Sequence, residues 1–227
     1  MPARGERIVA DRLAGSSPAW LYLHGLTSTR IGDKSDALFD FARTRGEAAW
    51  RFDMRGHGAS SGTLTDTTLG ELVDDTRCVL REAGPSILFG SSLGGLVGAW
   101  TAALAPESIV GLVLLAPALQ FLERLRARMG ATGRLILPHG GGELEFSQRV
   151  LDDFASHDED VMARAIDVPT LVVHGELDDT VPVEASERFV AALAARRKEL
   201  WVIGGGDHRL NAPIGAILER AAHFHRR

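Results

Sequence analysis

Short runs of consecutive apolar, β-favouring residues recur at Trp20–Leu23, Ala48–Phe52, Ile87–Phe89, Ile109–Leu115, Thr170–His174 and Leu200–Ile203. Consecutive rather than alternating apolar positions suit strands covered on both faces. Helix-compatible patterns fall between them, at about 34–45, 68–83, 93–105, 184–196 and 212–226. Strand–helix alternation of this kind needs right-handed crossovers, so the chain is expected to form an α/β fold with a mostly parallel, doubly covered sheet. Arg7–Leu13 is expected to add an edge strand. The rhythm breaks once. Between Pro117 and Val168 no strand is expected, only a basic amphipathic stretch (Phe121 to Met129), the cluster Gly140-Gly141-Gly142 and a helical acidic stretch from Ser147 to Ile166. An insertion of that length at one strand end is more often functional than a plain loop. The expected organisation is one domain over residues 1–227, with a short lid or cap insertion at 119–167.

Composition narrows the partners. Apolar residues make up 45% and charged residues 24%, ordinary for a globular chain. A net charge of −5 gives no concentrated basic face, so nucleic acid is not an expected partner. The single cysteine rules out an internal disulfide, and Cys78 falls away from the stripe Leu69, Leu72, Val73, Leu80, which reads as an incidental thiol. No apolar run approaches the ~20 residues of a membrane span, and no apolar signal core follows Arg4, Arg7 and Arg12. A cytoplasmic location, as a monomer or homodimer, is the expectation.

The strongest chemical signal is Gly90-Ser91-Ser92-Leu93-Gly94-Gly95, placed directly after an apolar strand and directly before a helix-compatible run. A G-x-S-x-G segment in that context is a nucleophile elbow, whose sharp turn needs small neighbours and lifts the serine Oγ clear of the sheet edge. Ser92 is the expected nucleophile, and Ser91 precedes the elbow position. A serine hydroxyl needs a base, and the base needs an orienting acid. In such a sheet both follow the serine, acid first, at later strand ends. The strand after the insertion runs out through His174-Gly175-Glu176-Leu177-Asp178-Asp179, where Asp178 is the preferred acid with Asp179 and Glu176 as alternatives. Of eight histidines, His24, His57, His139, His157 and His174 precede or abut the acid, and His223 and His225 lie in the terminal helix. His208 remains, on a flexible turn after Gly204-Gly205-Gly206-Asp207. For the oxyanion, one backbone donor is expected from Leu93 and the other from Leu26, which follows the turn residue Gly25.

Two segments resemble other sites and are set aside. Asp53 to Gly62 contains G-x-G after a strand but lacks the third glycine and the helix of a dinucleotide fingerprint. His157-Asp158-Glu159-Asp160 reads as a solvated helix face, and no zinc or phosphate-loop pattern occurs elsewhere. No cofactor or metal is therefore expected.

Across nearly its whole length the chain resembles the α/β-hydrolase superfamily, through His24-Gly25, Asp53-x-Arg55-Gly56-His57-Gly58-x-Ser60, Gly90-x-Ser92-x-Gly94-Gly95, His174-Gly175-x-x-Asp178-x-x-Val181-Pro182 and Asp207-His208. The resemblance implies that Ser92, Asp178 and His208 form a triad, favours Asp178 over Asp179, and makes Asp53 to Ser60 a structural loop. Ser60-Ser61-Gly62, Thr68-Leu69-Gly70, Gly84-Pro85, Asp178-Asp179-x-Val181-Pro182 and Asp207-His208-Arg209 also look like the mitochondrial palmitoyl-protein thioesterase branch and its bacterial relatives. That implies a small-molecule acyl ester or thioester as substrate, cleaved through an acyl-enzyme. Leu119, Phe121 and Leu125, with Leu122 and Met129, are expected to line or cover the acyl group. Amide, peptide or carbon–carbon bond hydrolysis would use the same triad, whereas a halide-removing enzyme would want aspartate at Ser92. A non-catalytic binding protein would be expected to lose a triad member, and all three are present.

Overall fold

The computed structural model describes residues 6–120, 129, 133–139 and 142–226. Its main sheet holds seven strands: β1 (Ala10–Leu13), β2 (Ser16–Leu23), β3 (Glu47–Phe52), β4 (Ser86–Ser91), β5 (Ile109–Leu115), β8 (Thr170–Gly175) and β9 (Lys198–Ile203). The order across the sheet is β1-β3-β2-β4-β5-β8-β9. Every pairing is parallel except that of edge strand β1, which runs antiparallel to β3. The expected α/β sheet and its edge strand are both present. All six residues of β4 and of β8 are buried, and six of the seven in β5, which explains why these strands read as unbroken apolar runs.

Helices α1 (Asp33–Arg45), α2 (Leu69–Ala83), α3 (Leu93–Leu104), α6 (Val183–Ala192) and α7 (Ile214–His225) cover the two faces. One core holds Leu21, Leu88, Leu96, Leu112 and Val172 under α2, α3 and α6; the other holds Trp20, Phe89, Val113 and Leu171 under α1 and α7. The strand period of two divides these side chains between the faces. α2 starts with a capping box: Thr68 Oγ1 accepts the Glu71 N–H at 3.1 Å, and the Glu71 carboxylate accepts the Thr68 N–H at 3.0 Å.

Three expectations need correction. Between Pro117 and Val168 the structure does contain strands, a hairpin of β6 (Leu135–His139) and β7 (Gly142–Phe146) paired antiparallel. Its signal was present but short: Glu143, Leu144, Glu145 and Phe146 alternate polar and apolar directly after a glycine run in the sequence. Only Leu135 and Phe146 of the hairpin are buried, so the pattern has little apolar surface behind it. The stretch from Ser147 to Ile166 is two helices, α4 (Gln148–Ala155) and α5 (Glu159–Ala165), with Asp158 capping α5 through the N–H groups of Asp160 and Val161. α6 stops at Ala192 rather than at 196, because Leu193 turns extended to feed β9. Residues 121–128 lie outside the described residues.

Candidate active site

The register of the parallel pairs brings strand ends together. Leu23 pairs with Gly90, Ser91 with Leu115, and Gly175 with Ile203, so the segments leaving β2, β4, β5, β8 and β9 emerge along one sheet edge. In open parallel sheets that carboxyl edge is where ligands bind.

Ser92 sits at the β4–α3 turn with φ 53° and ψ −115°, a left-handed conformation rare for a residue with a side chain. Its neighbours explain how it is held. A Cβ on Gly90 would lie 2.4 Å from the Gly94 carbonyl oxygen, and one on Gly94 would lie 2.2 Å from that of Leu23. No larger residue fits either position without moving the backbone. The Ser92 N–H donates to Leu115 O at 2.9 Å, and the Ser92 carbonyl accepts the N–H groups of Gly95, Leu96 and Ala118. The turn is locked from both sides, which leaves the side chain half-exposed at the edge.

The other predicted residues converge on it. His208 Nε2 lies 3.1 Å from Ser92 Oγ, and His208 Nδ1 lies 2.7 Å from Asp178 Oδ2. The Asp178 side chain is fully buried while that of His208 is 19% exposed. Burial alone would raise the Asp178 carboxyl, but hydrogen bonds from His174, His208 and the Val181 N–H outweigh it and hold the group well below the usual carboxylate range. It is therefore ionised at neutral pH. The two alternative acids are spent elsewhere. Glu176 accepts the Gly205 N–H at 2.8 Å, and exposed Asp179 meets the Thr180 hydroxyl. Gly175 lets the turn carrying His208 come close: a Cβ there would lie 2.5 Å from the Gly206 and Asp207 carbonyl oxygens.

Opposite the elbow, the Gly25–Leu26 turn backs onto the nucleophile, a Cβ on Gly25 lying 3.5 Å from Ser92 Cβ. His24 fixes this turn: its buried ring accepts the Met54 N–H at Nε2 (3.0 Å), and its Nδ1–H donates to Gly25 O (2.9 Å). Burial, then the neighbouring His57 ring, lower the His24 pKa to about 4. Because that value lies below the usual ~6.5 of an unfolded chain, the unfolded state takes up the proton first as pH falls. Stability from His24 is complete above about pH 6.5 and declines toward pH 4, by roughly 3 kcal/mol. His225, lowered to about 4 by burial, adds in the same direction. A melting temperature falling steadily from pH 7 to 4.5, with a shallower slope in His24→Gln, is the expected result; parallel slopes would contradict it.

Leu26 and Leu93 line a narrow apolar crevice with His57, Leu64, Thr67, Leu72, Phe146, Val150 and Phe154. A larger cavity of about 490 Å³ shares Phe154 and is floored by Leu69, Leu96, Trp100 and Phe189, with Gln120, Glu159 and Arg188 among its polar residues. Of the acyl-pocket candidates, Leu119 is buried in the same cluster as Leu93, Leu96 and Phe154, whereas Phe121 and Leu125 lie outside the described residues. Phe146, Val150 and Phe154 were not anticipated. The only sequence signal was the i, i+4 spacing of Val150 and Phe154, which puts them one turn apart on α4, while Phe146 closes β7 just before it. Asp153 ties α4 to the core by accepting the Leu69 N–H at 2.8 Å.

The two segments set aside have structural work. Asp53 is buried and accepts the N–H groups of Arg30 (2.7 Å) and Ala59 (2.9 Å), while Arg55 makes a two-point pair with buried Asp75, both contacts at 2.9 Å. Glu159 accepts the Gln120 N–H. Among the described residues no group of three or more His, Cys, Asp or Glu is arranged to hold a metal, and no helix is long and apolar enough to cross a membrane.

Sheet order, elbow and strand-end residues define the class: an α/β-hydrolase, within the serine hydrolases. The chain belongs to the family described as serine aminopeptidase, S33, whose model matches residues 19–165. It is 27% identical over 212 residues to mouse "Palmitoyl-protein thioesterase ABHD10, mitochondrial", covering 88% of this chain and 71% of that protein. To "Esterase Rv0045c" of Mycobacterium tuberculosis it is 34% identical over 151 residues, covering 64% of this chain and 48% of that protein. Among solved structures, mouse alpha/beta hydrolase domain-containing protein 10 superposes with a TM-score of 0.88 at 25% identity, covering 97% and 94% of the two chains. Est1E from Butyrivibrio proteoclasticus reaches 0.84 at 24% identity, covering 99% and 98%, a likeness of fold alone. The superfamily and thioesterase-branch resemblances read from the sequence are borne out.

Proposed function

We propose that this enzyme hydrolyses carboxylic esters or acyl thioesters through an acyl-enzyme on Ser92. The observation that carries the reading is the unbroken chain Ser92 Oγ–His208 Nε2–His208 Nδ1–Asp178 Oδ2, with contacts of 3.1 and 2.7 Å, set at a strained turn beside an apolar crevice. Similarity to proteins named thioesterase and esterase supports it.

In the acylation step Ser92 Oγ attacks the substrate carbonyl carbon as His208 Nε2 takes its proton. The charge on the imidazolium is steadied by Asp178, whose carboxylate keeps Nδ1–H pointed away from the serine. The carbonyl oxygen becomes an oxyanion and is received by the Leu26 and Leu93 N–H groups, the second of which opens α3 and adds the helix-end field. His208 then passes its proton to the departing alkoxide or thiolate. A water, deprotonated by the same nitrogen, releases the acid. The acyl chain is directed past the apolar crevice of Leu26, Phe146, Val150 and Phe154 toward the larger cavity that shares Phe154, with the insertion from 119 to 167 as its cap.

A series of 4-nitrophenyl esters and acyl-coenzyme A thioesters of increasing chain length, run beside aminoacyl 4-nitroanilides, tests the substrate class. Turnover of esters or thioesters, with anilides far slower, is expected. Efficient anilide cleavage without ester turnover would assign the site to amide hydrolysis instead.

A further inference from the structure

Resting on the reading of Asp178 as the acid of this site, we infer that His174 is a positioning residue: it holds the Asp178 carboxylate in register for His208, and Ser186 sets its tautomer. His174 lies inside β8, paired with Val202, and is fully buried. Its Nε2 faces two oxygens that only accept, Val181 O at 2.9 Å and Asp178 Oδ2 at 3.1 Å, so this nitrogen carries a hydrogen. Its Nδ1 then receives the hydroxyl of Ser186, 2.8 Å away on α6 and also fully buried.

The effect on Asp178 follows from counting its donors. Oδ1 takes the N–H groups of Thr180 and Val181, each at 2.8 Å. Oδ2 takes His208 Nδ1–H at 2.7 Å and shares the His174 Nε2–H. The Thr180 N–H comes from the same exposed turn as Asp178, and the Val181 N–H from the buried residue that follows that turn, so neither lies on a strand of the sheet. His174 is the one donor to this carboxylate that stands on a sheet strand, so it references the acid to the rigid frame that also carries Ser92. Groups that orient a reacting residue without touching substrate act by removing rotational freedom, and their loss commonly costs 10–100-fold. The sequence had placed His174 among the histidines excluded by order, and it is not the base; its reach is to the acid.

The test is a set of variants assayed per active site, with active sites counted by fluorophosphonate titration. His174→Leu is expected to lower kcat by about 10–100-fold with KM within about twofold of wild type. His174→Gln, whose side-chain amide presents an N–H near the Nε2 position and an acceptor for Ser186, should recover most of that loss. Ser186→Ala, which leaves the ring in place and is the smaller change to the core, should lower kcat several-fold. In an Asp178→Asn background the His174 and Ser186 changes should add little, since the group they position is already gone. A folded His174→Leu or Ser186→Ala enzyme with wild-type kcat, or losses of undiminished size in the Asp178→Asn background, would overturn the inference. Should His174→Leu fail to fold, Ser186→Ala, alone and in the Asp178→Asn background, gives the same reading. An Asp178→Asn enzyme of undiminished rate would instead refute the acid assignment itself, so the two failures are distinct.

Discussion

Replacing Ser92 by alanine is expected to lower kcat by about 10⁴-fold or more while leaving the fold in place. The loss follows from chemistry. Without Oγ no acyl-enzyme forms, and only binding and the backbone donors of Leu26 and Leu93 remain to assist direct attack by water. Retention of the fold follows from geometry. The turn is fixed by the Ser92 N–H to Leu115, by three N–H groups on the Ser92 carbonyl, and by the close approach at Gly90 and Gly94, none of which uses the hydroxyl. The change is read by kcat for the best ester of the chain-length series, with a melting curve alongside. Loss of less than tenfold would show that Ser92 is not the attacking group.

Asp178→Asn is expected to lower kcat by about 10³–10⁴-fold and also to cost stability. All four contacts of this carboxylate are with donors: Thr180 N–H and Val181 N–H on Oδ1, His174 Nε2–H and His208 Nδ1–H on Oδ2. An amide has one end that donates, and whichever way it is turned its NH₂ must face groups that also donate. If it faces His208, the imidazole is driven toward the tautomer that cannot accept the serine proton. If it faces the loop, two backbone donors are left unpaired next to a buried group, at about 1–3 kcal/mol each. Melting temperature and kcat together separate these outcomes. Unchanged values of both would mean that the acid is a different residue, with Asp179 the next to test.

Much of this was legible because buried parallel strands leave an unmistakable mark. β4, β5 and β8 are covered on both faces, so their apolar runs carry no alternation and their positions were read nearly to the residue. Ser92 was legible for a local reason, since its strained turn demands Gly90 and Gly94 by direct backbone contact. His208 came from chain order, and Asp178 was separated from Glu176 and Asp179 by resemblance alone. The geometric reason for that choice, Glu176 pinning Gly205 and Asp179 left in solvent, is a tertiary fact that no spacing encodes.

What escaped was of two kinds. The β6–β7 hairpin buries little more than Leu135 and Phe146, so its period-two pattern was too brief to stand out from a glycine-rich loop. The crevice residues Phe146, Val150 and Phe154 sit far along the chain from Leu26 and Leu93, and only folding brings them to the oxyanion side of the elbow. His174 was missed differently. It belongs to a strand, its ring faces the interior, and its partners Asp178, Val181 and Ser186 are a short distance along the chain; what hid it was the assumption that a histidine at such a site acts on the serine.

The central claim is that a covalent intermediate forms at Ser92, and intact-mass analysis with peptide mapping tests it most directly. After brief reaction with a fluorophosphonate or a slow-deacylating ester, the wild-type chain should gain one adduct, located on the peptide containing Ser92, and Ser92→Ala should gain none. An adduct on Ser91 or Cys78, an equal adduct in the variant, or ester turnover with no covalent species at all would contradict it.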